Sequence, residues 1–400
     1  MIRTLFFIFI YLFIFIFQNT FAAESTSLNI KNTQNLGLSN PSNSALSSFQ
    51  PGYSNTTVNF LNWANYLPAE TPVNFEKITG IKINQSFYDG ADMLEAKLMA
   101  GNTGYDVIVP ALVDMRDEIH FGLLQKLNKK WLPNYKYINP ALYKLTASID
   151  PNNNYGVIYQ YGTTGIAYNP ALLKQYLSPA DYKKITQNNN NWDLLLSPYY
   201  LKKLSACGVS FLDSPTQVYG IVLHYLHLNP NSTQPKDYLR ATHYLMSIRP
   251  YLTYFNNFKY QSDLASGNLC LAMVYSGDLL QAQSWADQSG NGVKLIYQMP
   301  KSGVPIWFDM LAIPTGAPNF RAAHAWINYL MTPKAIASVS NLLKQPNAIP
   351  ASSPYLLPIL KTSVATPNPE TLKNAFCIHD IDPALKPLLS RLWFKVKYGE

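Results

Sequence analysis

Three short stretches of this 400-residue chain set aromatic rings beside polar groups at spacings that suit one small ligand. In LNWANYL, residues 61–67, Trp63 and Tyr66 flank Asn65. In VYSGDLL, Asp278 follows Tyr275 by three residues, and in VPIWFDMLAIP, Asp309 follows Trp307 by two. An aromatic face attracts a cation through its quadrupole, and a carboxylate adds a charge-assisted hydrogen bond, so rings and acids together suit an amine. Asp309 makes the sharpest case, because a lone carboxylate inside an apolar run is costly unless something cationic or hydrogen-bonding meets it. Taken one at a time, these aromatics would be ordinary core side chains. Their company of acids points to binding.

Other chemistry fits less well. His224 and His227 in HYLH lie about one helical turn apart, but acids to complete a metal set are few nearby, so an exposed helical pair is expected and no metal. No Gly-x-Ser-x-Gly elbow, Walker loop or dinucleotide fingerprint is present, and Ser276 in YSGD lacks the glycines of a nucleophile elbow. Asp278 and Asp309 invite comparison with the carboxylate pair of a glycosidase, but two acids alone are a weak signal, and their aromatic setting favours binding. The chain reads as a binding protein, not an enzyme, with no cofactor.

The elements that must position these residues follow an export signal. The chain opens MIRTLFFIFIYLFIFIFQNTFAAES: one arginine, an apolar run over 5–17, then small residues at Ala22 and Ala23. This is the pattern of a cleaved secretory signal over 1–22, and the run is short for a membrane span. No cysteine stands at the cleavage point to take a lipid, so a periplasmic protein is expected. Residues 23–57 are rich in Ser, Asn, Thr, Leu and Gln without periodicity, which reads as a flexible leader. The remaining stretch, about 340 residues, is too long for one core and comfortable for two.

Charge and cysteines narrow the class. The formal charge is +8, but the lysines are scattered pairs such as Lys129-Lys130, Lys183-Lys184 and Lys202-Lys203, with no arginine-rich stripe. A nucleic-acid footprint needs clustering, so no nucleic-acid partner is expected. Of Cys207, Cys270 and Cys377, two can pair in an oxidising compartment and one is left over; composition does not say which.

From 58 the pattern reads strand (58–63), helix (69–80, with Phe75 and Ile78 on one face), strand (81–88), helix (90–101) and strand (105–110). Such a βαβαβ order predicts an α/β fold with a largely parallel sheet, its ligands bound beyond the carboxyl ends of the strands. Trp63 and Tyr66 stand at one such end, and Tyr275 and Asp278 at another. Gly162 and Gly165 sit inside a strand-like run, 159–170, that suits a crossing between lobes.

From about 58 to 397 the chain resembles the polyamine-binding periplasmic proteins of bacterial ABC importers, most nearly the putrescine-binding group. The stretches that carry the resemblance are NW with Tyr three after the Trp, NFEKITGIKI, EAKLMAGNTGYDVIVP, YGTTGIAYN, CGVSFLD, YSGD, FDMLAIP and NYLMTP. The resemblance implies a type II periplasmic binding fold, two α/β lobes joined by crossing strands with the ligand between them. Lobe 1 would comprise 58–162 with 305–348, and lobe 2 would comprise 163–304 with 349–400. It further implies a monomer that delivers a polyamine to an inner-membrane permease, and a disulfide between Cys207 and Cys270 that leaves Cys377 free.

Carried over position by position, the resemblance makes Trp63, Tyr66, Tyr275 and Trp307 an aromatic box, although the family usually has Trp at 275 and Phe at 307. Asp278 and Asp309 stand where the family contacts ligand ammonium groups. The departures lie at Ala64 and Asn65, where the family has Ser-Asp, at Gln217, where it has glutamate, at Ala111, where it has serine, and at Gln345, where it has a late tyrosine. Two carboxylates have become amides. Two readings of the ligand follow: a putrescine-like diamine held by Asp278 and Asp309, or a different small cation suited to Asn65 and Gln217. A sensor using the same closed shape is a third role.

Overall fold

The computed structural model describes residues 56–399 apart from 89, 102, 188–191, 363–365 and 380. The expected signal segment, 1–22, and all but the last two residues of the expected leader, 23–57, lie outside the described residues. The first strand, β1 (Thr57–Trp63), sets Phe60 and Leu61 fully inside. It pairs in parallel with β2 (Lys82–Tyr88), which places Trp63 opposite Tyr88, and with the short β3 (Val107–Ile108). Between them run α1 (Glu70–Thr79), ended by Gly80 at φ 74°, and α2 (Ala91–Met99); α3 (Leu112–His120) follows β3. The left-handed cap at Gly80 costs glycine nothing, which is why the helix stops there. Only part of the expected face of α1 is inside: Phe75 is fully buried, whereas Ile78 is exposed at the end of the helix.

β4 (Gly156–Tyr168) is thirteen residues long and buried at every position. Its first half pairs antiparallel with β9 (Ile306–Ala312), and its second half with β7 (Leu271–Tyr275) and β8 (Ile296–Gln298). β5 (Val209–Phe211) and β6 (Tyr254–Phe255) complete the sheet in parallel beyond β7. Among the described residues the strand order is β2-β1-β3-β9-β4-β7-β5-β6, with β8 on β4. The sheet is thus mixed: parallel toward both ends, as the βαβαβ reading predicts, and antiparallel through the middle, where β4 and β9 run side by side.

Two hydrophobic cores flank that middle. One gathers Phe60, Val107, Ile158, Phe308, Met310 and Trp326; the other gathers Ile166, Phe211, Val222, Met273, Leu279 and Trp393. β4 gives its first half to one and its second half to the other. The helices that position the cleft on the second side are α4 (Pro215–Tyr225), α5 (Lys259–Ser266) and α6 (Ser276–Ser289). Cys207 and Cys270 form a disulfide, which fastens the chain before β5 to the start of β7. Cys377 is a free, buried thiol that packs with the first core.

Candidate functional site

β9 carries one half of the site. Asp309 lies opposite Gln160 of β4 and bridges to Ala111, the residue before α3, so its carboxylate is held in the sheet interior at 7% exposure. The Tyr66 hydroxyl stands 2.5 Å from Asp309 Oδ2 and 2.8 Å from Gln345 Oε1. A phenol has one proton to donate, so the two acceptors share it. Burial raises the Asp309 carboxyl to about 6, with the Tyr66 hydrogen bond acting against the rise. Burial first, and the Asp309 charge second, holds the Tyr66 hydroxyl well above its ordinary range, so it stays a donor. Tyr159 donates to the Tyr66 carbonyl at 3.0 Å and fixes the turn that carries the ring.

Trp63 closes the same end. Its ring lies 4.4 Å from that of Tyr88, tilted by 42°, and the Tyr88 hydroxyl is tied to the Val109 carbonyl. Asn65 occupies the turn between Trp63 and Tyr66 at φ 59° and is exposed. A left-handed backbone favours Asn over most residues, so this position has a conformational reason for its residue type beside any contact with ligand.

The second half comes from the end of β7. Tyr275 is the N-cap residue of α6, and Asp278 lies in that helix's first turn. Free backbone N–H groups and the helix dipole favour an anion there. Tyr260, fully buried on α5, donates its hydroxyl to Asp278 Oδ2. Burial raises the Asp278 carboxyl, and hydrogen bonds from Tyr260 and Gln261 oppose the rise. Burial, with the Asp278 charge behind it, pushes the Tyr275 hydroxyl up to about 12.

The halves meet at an aromatic corner. The rings of Tyr275 and Trp307 stand 6.2 Å apart and nearly perpendicular, at 89°. Trp307 lies over Gly162, where an added Cβ would come within 2.1 Å of the indole; only glycine leaves room for the ring. A cleft of about 260 Å³ opens at this corner, lined by Ala111 and Asp114 from one side, Ser214 and Gln217 from the other, and Tyr275 and Trp307. Gln217, one turn into α4, accepts a hydrogen bond from Thr164 at 2.9 Å, so its amide is oriented by β4. Gln345 reaches across to α6, where a Cβ on Gly277 would touch its Cγ at 3.3 Å.

The structure thus brings Tyr66 to Asp309, and Gln217 to the cleft that Tyr275 and Trp307 line, with Asp278 in the first turn of the helix that Tyr275 caps. Asn65 is left at an exposed turn. Tyr260, Tyr159 and Thr164 escape a sequence reading, because each acts through a residue distant in the chain. His224 sets Nε2 3.1 Å from the Ser302 carbonyl and its ring 4.7 Å from that of Phe376. Among the described residues no group of three or more His, Cys, Asp or Glu side chains is placed to hold a metal ion. Nor is any helix among them long and apolar enough to cross a membrane.

Known proteins resemble this chain in sequence and in fold. The chain is 39% identical over 350 residues to the putrescine-binding periplasmic protein SpuD of Pseudomonas aeruginosa, covering 86% of this chain and 93% of that protein. Against the putrescine-binding periplasmic protein PotF of Escherichia coli the identity is 38% over 349 residues, covering 86% and 92%. The crystal structure of the spermidine/putrescine ABC transporter substrate-binding protein PotD from Streptococcus pneumoniae matches with a TM-score of 0.74, covering 86% of this chain and 99% of that one; at 21% identity this likeness speaks to the fold. The family model for bacterial extracellular solute-binding proteins matches residues 73–367. With two cores joined by β4 and a cleft at their junction, this chain belongs to the bacterial extracellular solute-binding protein family.

Proposed function

We propose that this protein captures a linear polyamine of the putrescine class between its two cores and delivers it to an inner-membrane ABC permease. The observation that carries the reading is the pair of acids, Asp309 in β9 held by Tyr66 and Asp278 in α6 held by Tyr260, each two or three residues after a ring of the Tyr275–Trp307 corner. An α,ω-diamine presents two cations joined by an apolar chain, and two acids with aromatic walls between them complement it. Trp63, Tyr66, Tyr275 and Trp307 are the walls, Asp278 and Asp309 the anions, and Gln217 and Asn65 neutral polar contacts at the margin. The names of the curated relatives, putrescine-binding proteins from two bacteria, support the same ligand class.

In this reading lobe 1 is 58–162 with 305–348, lobe 2 is 163–304 with 349–400, and the crossing strands are the hinge. Ligand bridging both acids favours the closed form by its higher affinity for that form. The protein acts as an exported periplasmic monomer freed of residues 1–22, and it binds without catalysis. Calorimetric titration tests the ligand: the mature protein, unfolded and refolded to strip bound solute, is titrated with putrescine, cadaverine, spermidine, agmatine and arginine. Saturable one-to-one binding of a polyamine is expected, and silence across the panel overturns the proposal.

A further inference from the structure

A formal charge of +8 does nothing for a receptor of cations, which it repels at long range. Two helices far apart in sequence, Pro235–Ile248 and Lys386–Tyr398, put part of that charge on one face. Both pack on the second core, through Tyr238 and Leu245 from one and Trp393 and Val396 from the other. The ring of Tyr219 meets those of Tyr238 and Trp393, at 5.7 and 6.1 Å. Arg249, just past the first helix, donates from Nε and Nη2 to the Lys397 carbonyl near the end of the second, at 3.1 and 2.9 Å. Helices laid side by side on one core turn their outer faces to solvent together. Those faces present Lys236, Leu239 and Arg240 from the first, and Arg391, Phe394, Lys395 and Tyr398 from the second, all exposed.

Among the described residues Lys236, Arg240, Arg391 and Lys395 belong to no ion pair. The acids around them are engaged: Asp213 holds Lys397, Asp237 accepts from the Ser232 hydroxyl, and Asp382 accepts from the Ala384 N–H before the second helix begins. Phe394 and Tyr398, 56% and 60% exposed, lie one turn apart with ring centres 4.5 Å from each other. Unpaired cations around exposed rings match an anionic membrane surface, where phosphates take the charges and aromatic side chains settle at headgroup level. The apolar stripe of each helix is already spent on the core, so the contact is adsorption without insertion. We propose that this face adsorbs to an anionic phospholipid bilayer and so keeps the exported receptor beside the membrane that holds its permease.

The test is co-sedimentation of the mature protein, without polyamine, on phosphatidylcholine vesicles with and without phosphatidylglycerol. Binding is expected only where phosphatidylglycerol is present, with release in about 1 M salt, where charges are screened beyond about 3 Å. Each basic side chain at such a surface is worth about fivefold in affinity, so Arg391→Glu with Lys395→Glu should weaken binding at least about tenfold. Lys236→Glu with Arg240→Glu should do the same from the other helix, and melting curves establish that each variant folds. Lys183→Glu with Lys184→Glu, an exposed pair elsewhere, makes the same change of net charge and should cost little. No binding to anionic vesicles, equal binding to neutral ones, or equal losses in all three double variants overturns the proposal. So does a dimer in light scattering that Phe394→Ser dissociates, which would give the face to a second copy of the chain. None of these residues belongs to the polyamine slot, so titration with putrescine should be unchanged throughout, and a failure of either reading leaves the other standing.

Discussion

Asp309 and Asp278 are both half of an acid–tyrosine pair, yet they are built in different ways. Asp309 sits inside a strand, with Tyr66 donating to it and the rings of Tyr88 and Tyr159 close by, and burial raises it to about 6. Asp278 sits in the first turn of α6, half-buried, with Tyr260 donating and the helix N-terminus behind it. A helix start offers an anion several backbone donors and a favourable dipole, whereas a strand interior offers neither. The strand-borne acid is thus a costly charge waiting for a cation, and the helix-borne acid an anion partly satisfied before ligand arrives.

The largest test of that contrast removes each charge in turn. Asp309→Asn and Asp278→Asn should each cost about 2 to 5 kcal/mol of polyamine binding, because each leaves a desolvated ammonium without its counter-charge. Stability of the ligand-free protein should separate them. The amide at 309 can still accept from Tyr66, so Asp309→Asn removes a buried charge at little loss of hydrogen bonding and should raise the melting temperature at pH 7. Asp278→Asn also removes a charge that burial disfavours, but one that hydrogen bonds from Tyr260 and Gln261 support, and should raise the melting temperature less. Calorimetry and thermal denaturation read both effects, and a stabilised Asp278→Asn with a destabilised Asp309→Asn would reverse the contrast.

Acidity sharpens it further. Asp309 is raised from 3.8 to about 6 in the folded protein, so between those values the native state holds more protons than the unfolded one. Stability of the ligand-free protein therefore falls as pH rises through this window: the penalty is absent below about pH 4 and complete above about pH 6, on the order of 3 kcal/mol for a fully buried group. Binding runs the opposite way. A cation needs the ionised form, so affinity should weaken below about pH 6, approaching tenfold per pH unit. Fluorescence titrations between pH 5 and 8 should show this loss in the parent and in Asp278→Asn, and a flatter profile in Asp309→Asn.

The two ends were not equally legible in the sequence. Tyr275 with Asp278, and Trp307 with Asp309, are short-range patterns at strand ends, so spacing alone announces them. Their partners are not: Tyr66 meets Asp309 across 243 residues and Gln345 across 279, and Tyr260, in a helix with nothing unusual in its pattern, meets Asp278 across 18. Local periodicity also announces β1–β3 and the parallel pairing there, but the antiparallel centre depends on β4 and β9 adjoining, a tertiary fact. Asn65 shows the converse. Set against the family pattern it looks like a neutralised ligand contact, while its left-handed backbone at φ 59° gives a second, purely conformational reason for an asparagine.

The smallest effect, and the one closest to the contrast itself, lies in the two tyrosine hydroxyls. Tyr66→Phe deletes the one side-chain hydrogen bond that supports the ionised Asp309, and also strips Gln345 of its donor. Binding should weaken by about 1.5 to 3 kcal/mol, the range for a hydrogen bond to a charged group, and the acid limb of the binding profile should move to higher pH as Asp309 loses support for its ionised form. Tyr260→Phe removes the equivalent bond from Asp278, but Gln261 and the start of α6 remain to hold that carboxylate. Its loss should be about 1 kcal/mol or less. Equal losses in the two variants would mean that the helix terminus gives Asp278 no advantage, and that the two ends of the site differ in position but not in kind.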